Sequence, residues 1–483
     1  MSKKNNTRLG AEHTNKVFLT LRYLHPSERK RLVKYLHSPY FNQSKTLTKL
    51  GEIMLEHIER GKEGFDRQAV WKKMFPGEPY DDVSFRKYCS DLLKHVEGFM
   101  AQETITHDET QQAIDTLDFI VRRKIEPLYS GSIKQIRHDL DKVNYRTLDY
   151  FKKVYFTERL YYTMMDFDVK VNVRANIEEI SNSLDLFYWI EKLKLYCSML
   201  SQQRTRNFNY QVKFMDEIRN YLINFPIEDV PELAVYYYSL LMLLEAETVE
   251  HYYNLRRLLD KHGAEMPQRE AIELFDSALH YCTGKINKGN KEFLQEYFDL
   301  FEDAIHKKVF LLEGELAPWR FNNLIAAALR LGKLEWAENF VDNYREYLPP
   351  ESRENTFSFN LARVYLYQKK YEKVLALLSN VEYEDIGYNL IGKAMLTITY
   401  YEMDEYTALD SFLESFRVFL NRYKNFTPAR KRGYLNLIKY TRRLTRLMPG
   451  DKTTIEKLRE EIIREKATTV NHEWLLEKLA EFD

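Results

Sequence analysis

Metal chemistry needs ligands that share a helix face or a tight turn, and the twelve histidines of this 483-residue chain do not supply them. No two histidines stand four residues apart, the spacing that sets both on one helical face, so an HExxH-type zinc site is not encoded. His280-Tyr281-Cys282 comes nearest, but residues two apart on a helix point in different directions and no second pair accompanies them. Asp166 and Asp168 offer two carboxylates whose spacing suits a helix end better than an acid–base dyad. The strings that cradle a nucleotide or raise a nucleophile on a tight turn, GxxxxGK(S/T), GxGxxG and GxSxG, do not occur. Cys89, Cys197 and Cys282 are too widely separated for a CxxC pair or a disulfide ladder, which fits a reducing compartment. No catalytic, cofactor-binding or metal-ligating residue is assigned, and the chain reads as a non-enzyme. Only a triad assembled from distant residues stays open at this level.

With chemistry set aside, the elements come forward. Gly (16) and Pro (13) together are scarce in 483 residues against the usual ~7% and ~5%, which leaves few places to break a helix. Aromatic residues make up 14%, with 35 tyrosines, whose rings fill helix–helix seams while their hydroxyls reach water. From Pro318 to Phe419 three helical hairpins follow one another, their second helices opening at Leu334, Tyr371 and Tyr406, 37 and then 35 residues apart. The first helices carry apolar residues three or four apart (Phe321, Leu324, Ile325, Ala328; Leu361, Ala362, Val364, Tyr365), the mark of one buried face. The second helices repeat it with Ala337, Phe340 and Val341, then Val374, Leu377 and Leu378, then Leu409, Phe412 and Leu413. One hairpin cannot bury both of its apolar stripes, so the hairpins must stack.

This spelling, with Gly332 at the first turn, Ala337 at a close helix contact and Pro349 ending the unit, resembles the tetratricopeptide repeat over residues 318–419. The fold expected is therefore all-α: a helical-hairpin repeat solenoid preceded by a small helical module. The segments expected are an N-terminal module at 1–107, a helical linker with early hairpins at 108–230, tetratricopeptide-like repeats at 231–450, and polar capping helices at 451–483. Within the module, the pair around Phe75 and Asp81 could be a helix-turn-helix, although its connection is longer than that motif prefers. The longest apolar run, Tyr236–Leu244, is half of what a membrane span needs, so the chain is expected to be cytoplasmic and without a membrane partner.

The resemblance implies a concave surface lined by first helices, offering Trp319, Asn322, Leu329 and Arg330, then Phe359, Arg363 and Tyr367, then Tyr401 to a protein or peptide. Of the positions matching the family's carboxylate clamp (Asn322, Ala326, Thr356, Asn360, Ile391 and Met395), only Asn360 clearly fits, so that specialised activity is not expected. Charge adds a second surface, because a net charge of zero conceals segregation. Residues 1–50 hold eleven Lys/Arg against two acids, 228–316 hold eighteen acids against nine bases, and 417–446 hold ten bases and no acid. A helix from Pro428 to Met448, capped by Thr427, would gather Lys431, Arg432, Lys439, Arg442, Arg443 and Arg446 on one side, opposite Tyr434, Leu437, Ile438, Leu444, Leu447 and Met448. That face is expected to meet an acidic partner. The function expected is a scaffold or adaptor without a cofactor; the alternative is a nucleic-acid-binding regulator that uses the basic N-terminal module and the 417–446 segment.

Overall fold

The computed structural model describes residues 15–165, 174–206, 208–378, 386–423, 426–448 and 450–482. Asp166, Asp168, Val381, Pro449 and the first fourteen residues of the basic N-terminal block lie outside the described residues. Within them the chain is α-helical, apart from short 3-10 turns and a two-residue β-hairpin pairing Leu311 with Leu316 and Leu312 with Glu315. The all-α expectation therefore holds. No helix of the described residues is long and apolar enough to cross a membrane. The chain forms two compact units, Met1–Val143 with Asp149–Phe187, and Asn144–Leu148 with Tyr188–Asp483.

In the first unit, five helices enclose a core that includes Phe18, Leu32, Leu36, Met54, Trp71, Phe85 and Phe99. They are Lys16–Tyr23, Pro26–His37, Lys45–Glu59, Arg67–Met74 and Asp82–Thr106. Pro26 opens the second of these, and Glu28 turns back to accept the His25 backbone N–H at 2.6 Å, closing a capping box. Gly51 is where two of the helices close up, since a Cβ there would stand 2.7 Å from Leu36 Cδ1. The supposed helix-turn-helix pair, Arg67–Met74 and Asp82–Thr106, buries Trp71, Phe85, Cys89 and Leu92 in this core. Helices Glu109–Arg122, Tyr129–Asp141 and Leu148–Met165 close a second cluster around Leu117, Ile136, Leu140 and Met164.

In the second unit, helices succeed one another in pairs. They are Pro231–Leu244 with Glu250–His262, Gln268–Asn287 with Glu292–His306, Pro318–Arg330 with Leu334–Asn343, Arg353–Tyr367 with Tyr371–Leu378, and Ile386–Glu402 with Tyr406–Arg422. Pro428–Leu444 and Lys452–Arg464 follow, and His472–Ala480 ends the described chain. From Pro318 onward, each first helix also touches the next first helix, up to Pro428–Leu444. The turns inside the three sequence-marked pairs are built alike. Gly332, Lys369 and Asp404 all take the left-handed conformation, with φ of 73°, 58° and 57°. Across them Lys333 N–H bonds Ala328 O at 2.9 Å, Lys370 N–H bonds Tyr365 O at 2.9 Å, and Glu405 N–H bonds Tyr400 O at 3.0 Å. These are Schellman caps, which satisfy carbonyls that a helix end leaves without partners. Gly289, with φ of 92° and an Asn290 N–H to Lys285 O bond of 3.1 Å, repeats the device one pair earlier. The recurring turn thus begins before the stretch in which the spelling is recognisable. Ala337, Val374 and Leu409, at equivalent positions after these turns, are all buried.

Candidate partner-binding surface

The first helices Pro318–Arg330, Arg353–Tyr367 and Ile386–Glu402 carry the residues expected to meet a partner. Four of those residues, Asn322, Leu329, Phe359 and Tyr401, are not on a surface; Leu329 is packed inside with Leu324, Ile325 and Ala328 on the same helix. Asn322 is buried, donating to Tyr388 Oη and accepting from Asn360 Nδ2, while Asn360 Nδ2 also donates to Thr356 O at 2.8 Å. Buried amides need such partners because an unsatisfied one costs about 1–3 kcal/mol. Phe359 is buried with Ala362, Val374, Leu378 and Met395, its ring edge-on to Tyr388 at 4.9 Å. Tyr401 is covered by the helix His472–Ala480, whose Trp474 ring meets it edge-on at 5.3 Å. The sequence pattern put these residues on helix faces open to a partner. It could not show that a neighbouring helix closes over those faces.

What remains exposed is Trp319, Arg330 and Tyr367, with Arg363 half-buried between the two helices. Arg320 lies over the Trp319 ring at 4.2 Å and grips Asp276 through two bonds of 2.7 and 2.8 Å. Arg363 has no such carboxylate among the described residues. Its Nη1 donates to the Asn322 main-chain oxygen at 3.3 Å, its guanidinium lies 5.8 Å from the Phe359 ring, and burial pushes its pKa down. Tyr367 follows one turn further along the same helix face. A partly desolvated guanidinium is a strong receptor for an anionic group.

The basic helix is shorter than expected. It ends at Leu444 rather than Met448, because the chain tightens there: Arg446 N–H bonds Arg443 O at 3.1 Å and Leu447 N–H bonds Leu444 O at 3.2 Å. Its start is as expected, with Thr427 Oγ1 accepting the Arg430 N–H at 3.3 Å and Pro428 in the first turn. Tyr434, Leu437, Ile438 and Leu444 are buried on its inner side. Met448, expected there too, is exposed. The outer side is partly neutralised. Glu461, from the following helix, takes Arg443 at 2.6 Å and Lys439 at 3.7 Å, while Arg442 reaches Asp410 at 3.3 Å and Glu414 at 3.1 Å. Hydrogen bonds from Arg417 and then Arg442 pull the Glu414 carboxyl down to a pKa of about 2. Lys431, Arg432 and Arg446 have no carboxylate partner among the described residues. The helix itself lacks acids, but its neighbours supply them; Asp410 and Glu414, four apart on one helix face, were the available signal.

His280 and Cys282 diverge as their spacing requires. The His280 ring is exposed with Nδ1 against Asp276 O at 2.6 Å, whereas Cys282 is buried and its thiol is pushed up to about 12 by burial. Comparison with protein-family models, curated proteins and solved structures finds no match to this chain.

Proposed function

We propose that the protein is a non-catalytic scaffold or adaptor whose helix pairs stack as a tetratricopeptide-like solenoid and bind a partner protein or peptide along the first helices. Arg363 carries this reading. A guanidinium drawn partly out of water is normally matched by a carboxylate, because the desolvation of an unpaired charge is costly. Here the match would come from the partner, with Trp319 and Tyr367 as exposed aromatic neighbours, the residue types that dominate binding hot spots. A photo-crosslinking residue placed at Tyr367 or Trp319 should capture a defined partner in the native cell, and one at Glu335 on a second helix should not. Arg363→Ala should abolish the capture, since losing such an anchor costs about 2 kcal/mol or more. Equal capture at Glu335, or capture indifferent to Arg363→Ala in a folded chain, would remove the proposal's support.

The second reading, nucleic-acid binding through the basic helix, is favoured by Lys431, Arg432 and Arg446, which have no carboxylate partner among the described residues. Phosphate neutralisation would make log K fall with log salt by about 0.9 per contact on duplex DNA, and a chain not retained on DNA or RNA at low salt excludes it.

A further inference from the structure

A trough lies among the C-terminal half of helix Ile177–Arg206 and the helices Pro231–Leu244 and Gln268–Asn287. Its geometry follows from paired contacts. Cys197 reaches Tyr236 O and Arg204 reaches Leu243 O, while Tyr236 bonds Glu270, Ser239 faces Ser277 and Lys285 bonds Glu247. Residue numbers rise together in both series, so the three helices run parallel. The middle helix forms the floor, since Tyr236, Ser239 and Met242 are buried, whereas Ser198, His280 and Gly284 on the walls are exposed. One end is shut. Lys194 Nζ crosses to Glu270 at 2.9 Å, and Tyr236 Oη donates to the other Glu270 oxygen at 3.2 Å. Between the walls, from Lys194 to Lys288, lies a cavity of about 640 Å³. That lies within the roughly 300–1,000 Å³ of sites that hold small organic ligands.

The trough is polarised along its length. Acids sit toward the shut end, where Glu270 is held by Lys194 and Asp276 by Arg320. Cations gather at the other end: Arg204, which donates to the Leu243 main-chain oxygen, and Lys285 and Lys288, which share the exposed Glu247 at 3.1 and 2.5 Å. Between the two ends the surface is mainly apolar, with Met242, Leu243, Leu274 and Tyr281. Gly284 stands in the wall beside these cations, inside a helix, where glycine costs about 1 kcal/mol relative to alanine. No atom lies within 4 Å of where its Cβ would be, so internal packing does not require it. Its missing side chain widens the mouth.

We propose that this trough binds a small amphiphilic organic anion, its apolar body on the floor and its carboxylate or comparable head at Arg204, Lys285 and Lys288. The proposal is independent of the partner surface around Arg363. The test uses dansyl-undecanoate as a fluorescent probe on the full chain, with undecanol as the uncharged competitor. Saturable one-to-one binding is expected, weakened about tenfold or more by Arg204→Ala with Lys288→Ala and barely displaced by undecanol. Gly284→Leu should plug the mouth and remove binding while helicity and Tm are kept, because the new side chain points into open space. Unchanged affinity in either folded variant, equal competition by undecanol, or exclusive binding of an apolar peptide with a free C-terminus would overturn the proposal.

Discussion

Lys369 and Asp404 hold left-handed backbone that glycine adopts freely and that costs other residues roughly 1–2 kcal/mol. Gly332 fills the same place in the preceding turn. Replacing Lys369 or Asp404 with glycine should therefore stabilise the chain by about 0.5–1 kcal/mol, after allowing for the extra freedom of glycine in the unfolded state. Gly332→Ala should destabilise it by about 1 kcal/mol. Chemical denaturation of the three variants checks the ordering, and a destabilised Lys369→Gly would show that its side chain contributes more than its strain costs. At this scale the sequence was readable where a residue's local chemistry decides its role: Thr427 as a cap, Gly332 in a turn, Ala337 on a buried helix face. It was unreadable for Asn322, Phe359 and Tyr401, because their burial is decided by side chains tens of residues away, Asn360, Tyr388 and Trp474.

Among the elements, the helix Pro428–Leu444 shows what periodicity can and cannot supply. Its inner face was legible, since an apolar stripe on a capped helix has one place to go. Its outer face was not, since Glu461, Asp410 and Glu414 arrive from helices on either side. The trough beside Pro231–Leu244 was equally hidden, because the spacing between parallel helices is not written in any one of them. Glu461 is the joint of the basic face, one carboxylate held by two cations, and Arg443 keeps its pKa below the ordinary glutamate value. Glu461→Gln should free Lys439 and Arg443 while leaving the inner side undisturbed. The variant is expected to elute from heparin at distinctly higher salt than the wild type, with unchanged circular dichroism. Identical elution would mean that these bases are not available to a polyanion.

For the whole molecule, the all-α class was legible in composition and period, while the contacts that its last described helix makes were not. The helix His472–Ala480 finishes the second unit by covering Tyr401 and by setting Trp474 Nε1 on Glu402 at 2.6 Å and Lys478 Nζ on the same carboxylate at 3.0 Å. Burial alone would lower the Lys478 pKa, but its bonds to Glu481 and Glu402 raise it, so the ammonium stays charged. Trp474→Ala should cost about 2–3 kcal/mol, less than a fully buried tryptophan. Protease susceptibility confined to the C-terminal end would accompany the loss, and a variant as resistant as the wild type would mean that this helix adds little. The buried bond between Asn322 and Asn360 reaches further, into how such a chain can change its length over generations. A duplication or loss of one hairpin would set Asn322 opposite a different neighbour; thirty-five residues beyond Asn360 that neighbour is the apolar Met395. The hairpins are therefore not interchangeable, and lineages descended from this chain should vary in loops and surfaces before they gain or lose a hairpin.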